Sequence, residues 1–223
     1  MKSKRLIVVS LDALSSIDFD MFSKLPNFKK FIRHAACCRQ VRSVYPSLTY
    51  PAHTSIVTGR TPAHHGIVNN ILLQPERSSP DWYWQRNYIR GTTLYDEVLK
   101  QGKHVAALLW PVTAKSEITW NLPEIFANRR WTNQILTSAA NGTVGYQLML
   151  NHRFGRLRDG IRQPALDNFV HASLKYTLKT YRPDLTLVHF TDLDTQRHHY
   201  GVHSEEAAAA IKRHDERIGE LMH

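Results

Sequence analysis

Disulfide-forming cysteine is what this sequence most obviously lacks. Its two cysteines, Cys37 and Cys38, are adjacent, which excludes a disulfide framework and fits a reducing, cytoplasmic location. Long hydrophobic runs are also missing. The longest, Leu6–Leu11 and Val105–Trp110, fall far short of the roughly 20 residues a bilayer-spanning helix needs, so no membrane partner is expected. The basic start, Met-Lys-Ser-Lys-Arg, leads into a short apolar run that soon meets Asp12, with no small-residue cleavage site behind it. A secretory signal is therefore not expected. No internal repeat or low-complexity segment is present.

Acidic residues are outnumbered, 19 against 29 Lys and Arg, leaving a net charge of +10 before the 13 histidines are considered. Such an excess can attract nucleic acid, anionic lipid or a phosphorylated small molecule. The basic residues are scattered (Lys2–Arg5, Lys29–Arg33, Arg129–Arg130, Arg153–Arg162), with no dense stripe or tail. A solvated surface accounts for most of them, and no specific nucleic-acid partner is expected. With 223 residues, 42% of them apolar and 22% charged, the chain can build one sizeable α/β core.

Read in order, Lys4–Asp12 is a buried strand of the parallel type, because Leu6-Ile7-Val8-Val9 is a short β-branched run. It leaves Asp12 at its C-terminal end, the edge where ligands bind in open α/β sheets. Phe19–His34 is helical with an interruption at Leu25-Pro26, and Ala36–Tyr45 is a strand feeding the next turn. Thr49 then sits just before a helix. Pro51 suits that helix's first turn, Ala52 to Thr58 can continue it, and Gly59 stops it. A hydroxyl at such a place either caps its own helix or faces a bound phosphate at the positive end of the dipole. Asn69–Arg90 reads as a loop carrying Trp82, Tyr83 and Trp84.

Thr92–Gln101 reads as a helix capped by Thr92 or Thr93, and His104–Trp110 as a second buried strand. The strand–helix–strand rhythm implies a mainly parallel sheet flanked by helices. Trp120–Gly160, rich in Asn, Arg and aromatics, is expected to be an insertion or lid, and Pro164–Tyr181 a helix. Leu185–Phe190 is a third strand, followed by a polar stretch with Asp194 and His198. Ser204 caps a last helix with Glu205 and Glu206 in its first turn. Three strand ends or turns thus offer Asp12, Thr49 and the Asp194/His198 pair. Carboxylate oxygen and imidazole nitrogen suit Zn²⁺ and related divalent ions.

These residues carry a resemblance. Thr49-Tyr50-Pro51-Ala52-His53, Ser55-Ile56-Val57-Thr58-Gly59, His65-Gly66-Ile67, Asn70, Lys100-Gln101-Gly102 and Leu109-Trp110-Pro111 are similar to the type I phosphodiesterase/nucleotide pyrophosphatase family of the alkaline phosphatase superfamily. Asp194-Thr195-Gln196-Arg197-His198-His199-Tyr200-Gly201 resembles that family's Asp-Ser-x-Gly-His-x-Tyr-Gly. The resemblance implies an alkaline phosphatase-like catalytic domain over 1–223, incomplete at the C-terminus, with the lid at about 120–160. It implies two divalent metal ions, expected to be Zn²⁺, one held by Asp12 and Thr49 and the other by Asp194 and His198. Thr49 would be the nucleophile and form a phospho-threonine intermediate. Asn70 would donate to a non-bridging phosphate oxygen, and Tyr50 would flank the leaving group or nucleobase. The implied activity is hydrolysis of a small-molecule phosphodiester or nucleotide pyrophosphate. Phosphomonoester or phosphonate hydrolysis is the alternative within the superfamily, and a non-enzymatic basic nucleic-acid-binding module the alternative outside it. The family also uses an Asp-His-Gly motif and a late His, whereas His203, His214 and Asp215 lie outside any such motif. The expectation is an N-terminal portion supplying half the metal site and, by itself, catalytically weak or inactive.

Overall fold

A computed structural model describes residues 4–129 and 131–222. Lys2, Arg130 and the terminal His223, which figure in the charge and boundary readings above, lie outside the described residues. Among the described residues the chain forms β1 (Leu6–Leu11), α1 (Phe19–Phe22), α2 (Pro26–Ile32), α3 (Thr49–Thr58), α4 (Pro62–His65) and α5 (Leu94–Lys100). It continues through β2 (Val105–Leu108), β3 (Trp120–Leu122), α6 (Gln134–Ala139), α7 (Val144–Phe154) and α8 (Ala165–Thr180), then β4 (Leu185–Phe190), α9 (Asp192–Tyr200) and α10 (Glu205–Leu221). No described helix is long and apolar enough to cross a membrane.

The sheet has the order β1-β4-β2-β3. β2 runs parallel to both β3 and β4, with Ala106 opposite Trp120 and Thr186. Leu6 N donates to Asp184 O and Asp12 N to Phe190 O, each at 2.9 Å. Both chains advance together between those bonds, so β1 and β4 also share a direction. The central strands are buried throughout, as near-continuous apolar runs in a parallel sheet should be.

Three expectations are corrected. β1 is an edge strand, with Leu6 and Ile7 50% and 43% exposed, rather than buried on both faces. Ala36–Tyr45 forms no strand: Cys37, Cys38, Arg39 and Gln40 are exposed and the segment pairs with no ladder. Trp120–Leu122 is a strand at the opposite edge of the sheet, at the start of the stretch expected to be an insertion. Its Trp-Asn-Leu is short and lacks the β-branched run that marks β1.

Two compact units divide the chain: Met1–Val9, Ser43–Gly155 and Tyr176–His189 in the first, Ser10–Arg42, Arg156–Lys175 and Phe190–His223 in the second. In the first, Val57, Tyr95, Trp110 and Ile118 pack with sheet residues Val105, Ala107, Leu185 and Leu187. A neighbouring cluster gathers Tyr50, Ile67, Trp84, Ile89, Val112, Ala114 and Ile125. In the second, Leu193, Ala207, Ala210 and Ile211 pack with Leu14, Met21, Phe22 and Leu25. Helix ends follow local chemistry. Thr93 and Asp96 form a capping box on α5, Ser204 Oγ accepts from Ala207 N on α10, and Gly59 ends α3 at φ 64°. Pro26 opens α2, and the Asp215 carboxylate, reaching from α10, accepts from Phe28 N at 2.7 Å.

Candidate active site

In the first unit, Thr49 is the first residue of α3, and Leu48, whose side chain cannot cap, holds the N-cap place. The half-buried Thr49 therefore stands at the first helical position, not in the capping place. Asn70 is brought alongside it: Asn70 Oδ1 accepts from Tyr50 N at 2.9 Å. An amide has one acceptor oxygen and one donor nitrogen. With Oδ1 committed to a backbone N–H, the Nδ2 end is the one left to donate, as the resemblance requires of this residue.

The turn between them is held by His65, which is fully buried. Its Nδ1 lies 3.1 Å from Ile67 N, which can only donate. Nε2 therefore carries the proton and donates to Ser55 Oγ at 2.9 Å. That tautomer makes the Ser55–His65 pair a fastener rather than a nucleophile and base, and burial pushes the His65 pKa down against a raising hydrogen bond to the backbone carbonyl of Pro51.

Behind α3, His53 Nδ1 lies 2.7 Å from Thr49 O, and its ring packs 4.9 Å from Trp110 and 4.3 Å from His189. His189, fully buried, lies 3.2 Å from Glu124 Oε2. This polar group under the turn that carries Thr49 was not picked out from sequence beyond His53 itself. Tyr50 is fully buried, its ring 5.3 Å from Trp82. Burial, and next the Glu124 charge, push its phenol pKa well up. Its ring thus presents no surface to a leaving group or base. Withdrawing it to stack on a ligand would expose about 150–250 Å², at a cost of roughly 4–6 kcal/mol.

In the second unit, Asp12 follows β1, with its N–H on Phe190 O at the end of β4 and its Oδ1 accepting from Ala13 N at 3.0 Å. Ala13 is left-handed at φ 63°, a conformation that costs an L residue about 1–2 kcal/mol. The polar stretch after β4 is the helix α9, with Thr191 in its N-cap place. It places Asp194 and His198 on one face, Nε2 3.5 Å from Oδ1.

α9 has no side-chain cap of its own. Asp167, fully buried on α8, supplies one. Its Oδ1 accepts from Thr191 N at 3.2 Å and its Oδ2 from Asp192 N at 3.0 Å. Burial pushes the Asp167 pKa up, with the Arg217 charge and these N–H groups opposing. Asp192, also fully buried, is taken up by Arg213 at 2.7 and 2.9 Å, by Gln196 at 3.1 Å and by Arg217 at 3.4 Å. Burial raises its pKa, but Arg213 outweighs that and holds the carboxyl below the usual range. Of the two aspartates in Thr-Asp-Leu-Asp, Asp192 is therefore committed to the framework, whereas Asp194 pairs with His198. Asp167, Arg213 and Arg217 were not marked by sequence, because their partners lie far along the chain.

Carboxylate and imidazole are the right donors for a divalent ion. Among the described residues, however, no group of three or more His, Cys, Asp or Glu side chains is placed to hold one. The donor types fit, and their number falls short of the three or four that zinc takes from a protein.

Comparison with solved structures places the fold. Murine ectonucleotide pyrophosphatase/phosphodiesterase 5, inactive and in complex with AMP, superimposes with a TM-score of 0.65 at 18% identity, covering 98% of this chain and 51% of that one. Phosphonoacetate hydrolase from Sinorhizobium meliloti in complex with phosphonoacetate gives 0.69 at 23% identity, covering 99% and 53%. The fold is thus alkaline phosphatase-like. Human ectonucleotide pyrophosphatase/phosphodiesterase family member 1 is 26% identical over 209 residues, 89% of this chain and 19% of its own length. Venom phosphodiesterase from Macrovipera lebetinus is 25% identical over 229 residues, 97% of this chain and 23% of its own. The chain spans about a fifth of the length of these curated relatives and about half of the solved ones. Over residues 6–223 it matches the family model for type I phosphodiesterase / nucleotide pyrophosphatase, and it belongs to that family.

Proposed function

We propose that this chain carries the nucleophile of a metal-dependent hydrolase that cleaves phosphodiester or nucleotide pyrophosphate bonds. The observation that carries the reading is the Asn70 Oδ1 to Tyr50 N hydrogen bond, which sets an amide donor beside Thr49 at the N-terminus of α3. There a phosphate meets the positive end of the helix dipole and the Asn70 Nδ2 donor. Thr49 Oγ1 attacks phosphorus in line and the leaving oxygen departs. Water then cleaves the phospho-threonine and regenerates the hydroxyl. Asn70 holds charge that develops on a non-bridging oxygen. Asp12, Asp194 and His198, with Thr49, are the residues offered to two divalent ions, with zinc the ion their donor types favour. Such ions supply Lewis acidity, lowering the hydroxyl's pKa and neutralising phosphate charge.

The substrate class is supported by the family and by the AMP-bound murine relative. Phosphonate hydrolysis is the second reading, supported by the likeness to phosphonoacetate hydrolase. A panel of a nitrophenyl phosphodiester, a nucleoside triphosphate, a phosphomonoester and phosphonoacetate, each with added Zn²⁺, separates them. Turnover confined to the diester and triphosphate upholds the first reading, and turnover confined to phosphonoacetate overturns it.

A further inference from the structure

Arg197 stands directly before His198 on α9, at the place where the related Asp-Ser-x-Gly-His pattern has a glycine. Its guanidinium does not point to solvent. One terminal nitrogen donates to Ala13 O and the other to Asp18 Oδ1, and the two side chains are 10% and 7% exposed. Asp18 Oδ2 in turn accepts from Ser15 N at 2.9 Å. The whole turn that follows Asp12, including left-handed Ala13, is thereby folded onto one side chain of the helix carrying Asp194 and His198. A buried ion pair returns little net stability, because desolvating both charges offsets their attraction. What such a pair does supply is a fixed relative position, here between the Asp12 turn and α9.

We propose that Arg197 is a positioning residue that couples the turn after Asp12 to α9 and so fixes the spacing between the Asp12 carboxylate and the Asp194–His198 pair. The metal-binding consequence rests on the functional reading above; the coupling itself does not. The test compares the unaltered chain with Arg197→Gln, Arg197→Lys and Asp18→Asn. Amide hydrogen exchange is followed in residues 13–18 and, as an internal control, in 205–221, and Zn²⁺ affinity is measured by chelator competition. Arg197→Gln is expected to raise exchange in 13–18 at least about tenfold while sparing 205–221. It should also weaken Zn²⁺ binding by about 10–100-fold, the usual loss when a residue supporting a ligand is removed. Asp18→Asn should reproduce much of both effects, and Arg197→Lys should restore part of the protection. Unchanged exchange in 13–18 overturns the coupling, and raised exchange with unchanged Zn²⁺ affinity overturns its role in placing the ligands. If the unaltered chain takes up no Zn²⁺, the metal reading of the site falls, and the exchange result still decides the coupling.

Discussion

Replacing Asp167 should damage this protein out of proportion to the size of the change. Its carboxylate caps α9 from a different helix and lies fully buried, 3.7 Å from Arg217. In Asp167→Ala the N–H groups of Thr191 and Asp192 lose their acceptors, each at a cost of about 1–3 kcal/mol when buried. Arg217 keeps Asp192 at 3.4 Å and Asn168 at 2.9 Å, so its charge is not stranded. The sum is about 2–6 kcal/mol. That is a large part of the roughly 5–15 kcal/mol available to a folded domain. Asp159 is the control: its pair with Arg162 is exposed on both sides, at 69% and 81%, and its loss should cost no more than about 0.5 kcal/mol. Urea unfolding of the two variants at pH 7 reads the difference directly. Equal effects, or a cost below about 1 kcal/mol for Asp167→Ala, would refute the capping argument.

Two further expectations follow from the same geometry. Asn70→Asp keeps an acceptor for Tyr50 N but puts an anionic oxygen where the amide donates. Phosphodiester turnover should fall about 10²–10³-fold with little change in the unfolding midpoint, and a parallel loss of both would reduce Asn70 to a helix fastener. His214 is buried, and burial followed by the Arg217 charge brings its pKa down to about 3. The folded protein then refuses a proton that the unfolded chain accepts near pH 6.5. This contribution to stability is intact above that pH and is lost as pH falls towards 3. Between pH 7 and 5 the loss from this one group is about 2 kcal/mol. His214→Gln should flatten that decline in urea titrations, and an unaltered decline contradicts the assignment.

Much of the frame was legible in the sequence because it is written in local patterns. Leu185–Phe190 is a strand with the expected bounds, since its mostly apolar run, interrupted by Thr186 and His189, suits a strand buried at every position. Ser204 caps α10 and Thr93 caps α5, as hydroxyls before acidic first turns should. What escaped depends on distant partners. α9 contains Asp-Leu-Asp-Thr-Gln-Arg-His-His-Tyr, with Leu193 as its one buried apolar side chain, and so carries no amphipathic signature. It is held as a helix by a carboxylate on α8 and two arginines on α10. Trp120–Leu122 joins the sheet through its neighbours rather than through its composition. The motif marked both Thr49 and Asn70, and the structure adds the Tyr50 N to Asn70 Oδ1 hydrogen bond that orients the amide. Tyr50 resembles a ligand-facing aromatic in sequence, and only its packing on Trp82 shows it turned inward.

The central claim is that Thr49 attacks phosphorus. Its most direct measurement is acid-quenched turnover of a ³²P-labelled nitrophenyl phosphodiester in the presence of Zn²⁺, followed by peptide mapping, with Thr49→Ala alongside. The account predicts label on the peptide containing Thr49 in the unaltered chain, and neither label nor turnover in Thr49→Ala. Turnover that persists in Thr49→Ala, or label on any other residue, contradicts it.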